Sequence, residues 1–276
     1  MQMNRLTSSD FDKMIIESID EVLAFDRDND ELLFMFDQII SGEITSENET
    51  IYAEGRQGVQ LASFDRNKTA GFTCENGYVQ AGAIATQLGS DIRKASAENA
   101  IEYEVIEIKE VAKGATTLTL AQEARPVDNV PVVKYVYLLA NDGSKAKTYT
   151  FADEASESEF TAATADKVTT VTLPTGLTTE DKVKVMVQYE AESTTGQEII
   201  NAGDKYSSNV KLVINFVAQE PCGGNKYLMQ CVMPNAKVSG TFSLSVGDSP
   251  AVQNFEASAL LDVCSVDKEL FVIKMV

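Results

Sequence analysis

Short apolar runs separated by polar turns dominate the chain, a pattern typical of β-strands. It is clearest at 101–111, where apolar and charged side chains alternate as on a half-buried strand. The best turn signal is Asn141-Asp-Gly143, which predicts a hairpin joining strands at 132–140 and 145–151. Further strands are predicted at 57–64, 68–74, 116–120, 168–173, 182–189, 209–217, 226–233, 237–246, 252–261 and 270–275.

Two segments have apolar residues at helical spacing instead. The first, 9–20, begins with a capping pattern of Ser9 and Asp12, and its apolar stripe either packs on its own core or docks on a neighbouring subunit. The second, 76–88, is rich in small residues and stops at Gly89. We therefore expect one or two helices beside many strands.

Two apolar runs flank the polar turn at 26–30, which predicts a hairpin of 22–25 with 32–36, although one longer helix is also compatible. The turn has the D-x-D-x-D opening of a calcium loop. Glu31 stands where that loop needs glycine, and Asp37 where it needs glutamate. Ordinary turn chemistry is the favoured interpretation.

Another hairpin is predicted from 57–64 to 68–74 over Asp65-Arg-Asn67. The acidic stretch 152–166, rich in alanine, serine and threonine, is expected to be a solvated loop. Together these elements predict a mainly β fold, a sandwich or barrel with one or two flanking helices.

Charge divides the chain unevenly. Residues 1–49 hold thirteen acidic and three basic side chains, a net of −10 out of −19 overall, which predicts a distinct acidic N-terminal arm. The β core is expected at 50–120 and 205–276. Residues 121–204 are then either an inserted immunoglobulin-like unit or extensions of the core strands.

Composition excludes several kinds of chemistry. The chain has no histidine and no tryptophan, so histidine-activated nucleophiles, imidazole bases and histidine-ligated metals are ruled out. We predict no catalytic, cofactor-binding or metal-binding residues and no enzyme activity. A net charge of −19 also argues against a protein that grips nucleic acid, because such a grip needs lysine and arginine on the phosphates.

The four cysteines are too scattered for a metal knuckle or a disulfide framework, so we expect reduced thiols: Cys74, Cys222, Cys231 and Cys264. Cys222, between proline and glycine, could be exposed, although burial is the commoner case. Neither a leader peptide nor a membrane-spanning run is apparent, which predicts a soluble intracellular product.

Several segments together resemble the major tail tube proteins of tailed bacteriophages. The resemblance spans 22–113 and 205–276, while 114–204 departs from the compact family core. It is carried by 24–28, 33–38, 53–68, 69–89 with its Gln87-Leu-Gly89 ending, 234–240, 242–245, 253–255 and 261–264.

This resemblance implies a structural virion protein that forms homohexameric rings, stacked into the tube through which DNA is ejected. The ring core would comprise 57–74 and 237–261, with the helix 76–88 at the subunit flank and the arm 1–49 between rings. An acidic bore would let DNA slide, since a basic wall would hold its phosphates. Implied partners are other copies and the tail sheath, tape measure and tail terminator proteins, with no membrane. Assembly is expected in the bacterial host cytoplasm.

Two alternatives are also compatible with the sequence. One is an immunoglobulin-like decoration or adhesion module on a virion or cell surface. The other is a carbohydrate- or peptide-binding enzyme with two carboxylates in a cleft. The lack of tryptophan disfavours the second alternative, because sugar sites usually rest on aromatic platforms.

Overall fold

A computed structural model describes residues 14–177, 182–221, 224–243, 251–261 and 268–275. The chain divides into two compact units. Unit 1 comprises Met1–Ile92 and Ile199–Val276, and unit 2 is the intervening stretch Arg93–Glu198. Unit 2 is therefore an insertion into unit 1.

The fold is mainly β with one α-helix in the described residues, which confirms the predicted class. In chain order the elements are β1 (Ile15–Asp26), β2 (Leu32–Phe36), β3 (Ile39–Glu54), β4 (Gln60–Asn76), α1 (Ala81–Leu88), β5 (Ile92–Lys94), β6 (Ile101–Ala112), β7 (Thr117–Thr119), β8 (Pro126–Val127), β9 (Val130–Pro131), β10 (Val133–Leu139), β11 (Lys145–Phe151), β12 (Glu159–Ala165), β13 (Val168–Thr172), β14 (Lys182–Ser193), β15 (Gln197–Ile199), β16 (Asn209–Gln219), β17 (Lys226–Val238), β18 (Gln253–Ala259) and β19 (Val272–Met275).

One sheet builds unit 1, in the order β2-β1-β16-β17-β18-β4-β3, with β19 added beside β17. It curls into a nearly closed barrel, which brings Gly42 of β3 against Ile19 of β1. The core includes a cluster of Phe34, Phe36 and Phe255, whose ring centroids lie 4.9 to 5.7 Å apart. Burying three aromatic rings together is a large hydrophobic contribution to this unit.

Helix α1 packs on unit 1 and ends at Gly89, as predicted, although it begins at Ala81 because β4 continues to Asn76. Gly89 has a φ of 67°, and the following Ser90 N–H donates to the Ala85 carbonyl at 2.8 Å. This is a left-handed C-terminal cap, the conformation for which glycine is favoured.

A seven-stranded sheet builds unit 2, in the order β6-β14-β10-β11-β12-β13-β7. The Asn141-Asp-Gly143 turn joins β10 to β11 as predicted, with Gly143 at φ 83°. The core of unit 2 is separate from that of unit 1 and includes Val136, Phe160, Val185 and Tyr189. Each unit therefore has its own hydrophobic core, as independent domains do.

The predicted helix at 9–20 is wrong where the structure describes it. Residues from Ile15 onward form β1, which pairs antiparallel with β16 and β2, while 9–13 lie outside the described residues. The isoleucines of this segment favour a strand, and pairing with β16 outweighs its helical spacing. The hairpin over 26–30 is confirmed as β1 and β2. Residues 14–49 thus supply β1, β2 and part of β3 to the barrel, where the sequence suggested a separate arm.

The predicted hairpin over Asp65-Arg-Asn67 is also wrong. Residues 60–76 are one strand, β4, which pairs with β3 along almost its whole length. The turn signal marks a bulge instead: Asn67 has a φ of 52°, and the register shifts between Glu47 and Glu49 opposite it. An extra residue in left-handed conformation kinks a strand without reversing it.

Three smaller expectations also differ. Residues 159–165 of the predicted loop form β12, because Phe160 is fully buried. The predicted strands 226–233 and 237–246 are a single β17 up to Val238, with a register shift opposite Pro234, where a missing N–H is tolerated. The insertion spans Arg93–Glu198 rather than 121–204, since β6 belongs to its sheet.

Candidate functional site

The β3–β4 hairpin extends well beyond the barrel. Within the described strands, β18 pairs with β4 only from Gly71 to Asn76, so 60–70 of β4 pair with β3 alone. Those residues span about 35 Å at roughly 3.3 Å per residue. The chain reverses at Gln57 and Gly58, which have φ values of 67° and 75°. The result is a two-stranded ribbon that is open on both faces.

This ribbon carries exposed apolar side chains on both faces. Ile51 lies directly opposite Phe64 on one face, and Tyr52 lies opposite Ser63 on the other. Leu61 is 71% exposed and Phe64 59% exposed. A monomer gains nothing by presenting such groups to water, so the ribbon has the character of an interaction element.

Polar contacts stiffen the ribbon near its bulge. Glu49 accepts hydrogen bonds from Arg66 and Asn67, each at 2.7 Å, and Thr50 donates to Asp65 at 2.6 Å. The Arg66 and Asn67 hydrogen bonds lower the pKa of Glu49 below its ordinary value, so this carboxylate stays ionised. The bulge thereby keeps a fixed geometry although it is exposed.

A second surface lies at the base of the hairpin, on the outer face of β3, β4 and β18. The strand register places Glu43 and Glu256 on either side of Thr73, and Glu75 between Ser41 and Asn254. Side chains two residues apart share a face, so the three glutamates lie together. We call Glu43, Glu75 and Glu256 the acidic face.

The acidic face lines an open groove of about 630 Å³ that also includes Thr241 and Ser243. The described residues lining it include no lysine or arginine. On the reverse side of the same strands, Phe72, Cys74 and Phe255 are buried in the barrel core. One side of this three-stranded layer is therefore hydrocarbon and the other is negative.

Helix α1 fixes the position of β18, and so of the acidic face. The Gln80 N–H donates to Gln253 Oε1 at 2.6 Å at the start of the helix. Near its end, Gln87 Nε2 donates to the carbonyls of Thr241 and Asn254 at 3.3 and 3.4 Å. Gln87 and Gln253 are both buried, and hydrogen bonds between buried side chains and the backbone constrain geometry most strongly.

Of the other residues singled out from the sequence, Asp26 caps the β1–β2 turn, accepting from the Asp28 and Asn29 N–H groups at 2.8 and 3.2 Å. Cys74 and Cys231 are free and buried, and burial raises the pKa of the Cys231 thiol to about 11. Cys222 and Cys264 lie outside the described residues. The thiols that the structure describes are thus core residues with little thiolate character.

The family model for the YomU/Tube protein family matches residues 14–269. The chain belongs to this family. It is accordingly a phage tube-like structural protein, and membership indicates a component of a phage tail and a structural role rather than an enzymatic one. No curated protein matches the chain significantly. Across the part that the structure describes, every helix is too short or too polar to cross a bilayer.

The match confirms the resemblance to phage tail tube proteins. It covers both halves of unit 1 and the insertion. The predicted ring-core segments 57–74 and 237–261 supply β4, the end of β17 and β18, which are neighbours in the barrel. Sequence reasoning missed β3 as their partner. The polar residues at 41, 43 and 45 alternate with less polar ones at 42 and 44, which was a usable strand signal. The glutamates of the segment hid it.

Proposed function

We propose that this chain is the major tail tube subunit of a phage, and that six copies close into rings that stack into a DNA-conducting tube. Family membership and the open β3 edge support the proposal. Within the described strands β3 is the last of its sheet, with a row of backbone groups that could pair with another copy. In a closed ring, the backbone groups of every such edge can pair with a neighbouring copy.

The observation that carries the proposal is the two-sided layer of β3, β4 and β18. Hydrocarbon on one side commits that side to the barrel core, so the acidic face must point away from it. Lining a bore, it presents three carboxylates per copy to the passing duplex. Phosphates gain no counterion-release energy from such a wall, so DNA slides without being held.

The β3–β4 hairpin is the element that would reach a neighbouring copy. Its apolar side chains on both faces, including Ile51 and Phe64, are exposed in the isolated chain and would be buried in the assembly. Burial at about 25 cal/mol per Å² is a sufficient driving force for association when several such chains act together.

Electron microscopy of the concentrated full-length protein tests the proposal. We expect rings or hollow tubes with a bore close to the width of duplex DNA. A uniformly monomeric sample would contradict it, as would a bore lined by unit 2.

Charge reversal tests the bore separately. The triple variant Glu43→Lys, Glu75→Lys, Glu256→Lys should still assemble, but its tubes should retain duplex DNA at low salt. The matched control reverses three exposed glutamates of unit 2: Glu98, Glu123 and Glu154. Equal DNA retention by both variants would show that these carboxylates do not line the bore.

Other partners follow from the same proposal. A tube subunit requires a tape measure protein inside and a terminator at its end, and in a contractile tail it requires a sheath outside. Pull-down of a purified tube with each candidate from the same phage would test these contacts.

A surface-display role is the second candidate, favoured by the separate core of unit 2. On that account the chain decorates a virion or cell surface through an immunoglobulin-like module. Size-exclusion chromatography separates the two roles. A decoration protein stays small at high concentration, whereas a tube subunit elutes as rings or larger particles.

A further inference from the structure

One face of unit 2 leaves an apolar patch exposed. The outward side chains of four adjacent strands, β6, β14, β10 and β11, form rows because the register pairs them directly. The two central rows contain Ile106, Gln188 and Tyr135, and then Ile108, Met186 and Tyr137. Ile106 and Ile108 are 60% and 61% exposed, and Tyr135 is 40% exposed. We call these six residues the central patch.

The central patch is contiguous. Tyr135 and Tyr137 have ring centroids 5.7 Å apart, and the Tyr137 hydroxyl donates to Gln188 Oε1 at 3.2 Å. Scattered exposed apolar residues need no explanation, but an apolar patch across adjacent strands is typical of a contact surface. The nature of its partner follows from the charges at its two ends.

At one end of the patch, the outward positions are mostly acidic. Glu190 and Glu192 of β14 lie beside Glu104 and Glu102 of β6. Lys134 and Arg125 neutralise part of this charge. Lys134 Nζ lies 2.9 Å from Glu190 Oε1, and Arg125 Nη2 lies 2.6 Å from Glu190 Oε2. Four carboxylates against two cations leave this end negative.

The other end has the opposite sign. Lys182 and Lys184 of β14 and Lys145 of β11 lie there, and Glu110 of β6 is the one outward carboxylate of these strands at this end. Along β14 alone, the outward side chains run Lys182, Lys184, Met186, Gln188, Glu190, Glu192. The charge therefore reverses about the middle of the central patch.

From this pattern we propose that the central patch docks face to face on the same face of unit 2 in a second copy of the chain, about a twofold axis. The axis would lie in the plane of the contact, perpendicular to the strands, and would cross β14 between Met186 and Gln188. Lys184 of one copy then faces Glu190 of the other, and Lys182 faces Glu192. The isoleucines and tyrosines meet at the centre. A face whose charge reverses about its middle is complementary to itself in this arrangement, as a twofold interface requires.

The size of the face predicts a weak contact. β6 and β14 are 12 residues long, and β10 and β11 are 7 residues long. At roughly 3.3 Å per residue and 4.8 Å per strand, the face covers about 600 Å² per copy, or about 1,200 Å² for the pair. About 1,000 Å² in total is the lower limit for specific interfaces. The pair should form at micromolar concentrations.

Sedimentation velocity of the full chain over a concentration series tests the pairing. Ile108→Asp should weaken self-association at least about tenfold, because it buries a charge at the centre of the contact. Val168→Asp is the matched control, since Val168 is a similarly exposed residue on another strand of unit 2. Equal effects of the two variants would overturn the proposal.

A charge swap provides a sharper test. Lys182→Glu and Glu192→Lys should each weaken association, since each places like charges on both sides of the axis, by about tenfold at low salt. The double variant should recover association to within about threefold, because the pairs re-form with reversed signs. Failure of the double variant to recover would refute the twofold arrangement.

The same samples separate this inference from ring assembly, which is scored by electron microscopy. If rings form but self-association does not change in the charge-swap variants, the unit 2 contact is overturned and the tube proposal stands. Recovery in the double variant without any rings would support the contact and refute the tube. Thermal unfolding of each variant verifies that unit 2 stays folded.

Discussion

Tyr189 anchors the core of unit 2 through one buried hydroxyl, and Tyr189→Phe removes that hydroxyl alone. The ring is fully buried, and its hydroxyl donates to Glu107 Oε1. Glu107 also accepts from the Ala121 N–H at 2.9 Å and contacts Lys109 Nζ at 2.9 Å. This network joins β14, β6 and the segment after β7.

The cost of the substitution follows from the charge of the acceptor. A hydrogen bond to a charged group contributes about 1.5–3 kcal/mol. Glu107 keeps two other partners in the variant, so we expect the lower part of that range, about 1.5–2 kcal/mol off the free energy of unfolding. Urea denaturation followed by far-UV circular dichroism measures it.

The control is Tyr137→Phe, which removes a hydroxyl bonded to Gln188 at the half-buried surface of the same sheet. We expect it to cost less than about 0.5 kcal/mol, since water replaces that bond. A Tyr189→Phe variant no less stable than this control would refute the reasoning.

The effect should also depend on pH in two directions. Burial raises the pKa of Glu107, but hydrogen bonds from Tyr189, Lys109 and Ala121 outweigh it, so the net pKa is lowered. The stabilisation that ionised Glu107 contributes is present above the unfolded glutamate pKa of about 4.3 and is lost as pH falls through the folded pKa.

At the alkaline end the titrating group is Tyr189. Burial and the hydrogen bond to Glu107 raise the pKa of Tyr189 well above its ordinary value. Wild type should therefore lose stability above about pH 10, where the unfolded tyrosine ionises, and the difference between wild type and variant should shrink at both extremes.

Three further substitutions probe unit 1. Gly89→Ala should prevent soluble folding, because its Cβ would overlap the Tyr206 carbonyl oxygen at a φ of 67°. Its control is Gly114→Ala in unit 2, which has a φ of 80° but open space around it and should cost only about 1 kcal/mol in thermal unfolding. Phe255→Ala should cost about 3–5 kcal/mol, measured by urea titration, because it empties the aromatic cluster; a cost under 1 kcal/mol would contradict the described packing. Leu61→Asp should leave unfolding within about 0.5 kcal/mol of wild type but abolish rings in micrographs, so normal rings would exclude the hairpin from assembly.

Local signals predicted the parts of the fold that local chemistry decides. The Asn141-Asp-Gly143 hairpin and the Gly89 helix stop both depend on left-handed backbone that few residue types adopt, so the sequence identifies them directly. The alternation at 101–111 likewise predicted β6. It did not predict which side faces the core, because the alternation changes phase at Val105-Ile106 and leaves Ile106 and Ile108 exposed.

Non-local pairing decided the rest. Helical spacing from Ile15 onward gave way to a strand because β16 pairs with the segment from Ile15, and β2 pairs with its other edge from Val22. Asn67 carried a turn signal, but β3 continued to pair past it, so the chain bulged. The acidic face combines positions 43, 75 and 256, which only the register of three strands brings together.

The two ends of the insertion lie side by side: Arg93 Nη1 and Glu198 Oε1 are 2.6 Å apart. A segment whose ends meet can be removed or exchanged with little demand on loop length, since only a short connection must be closed. Residues 93–198 are thus a natural grafting point, where a foreign domain with adjacent termini could be fused in place of the native one. Each subunit would then carry one cargo, and the barrel sequence would remain untouched.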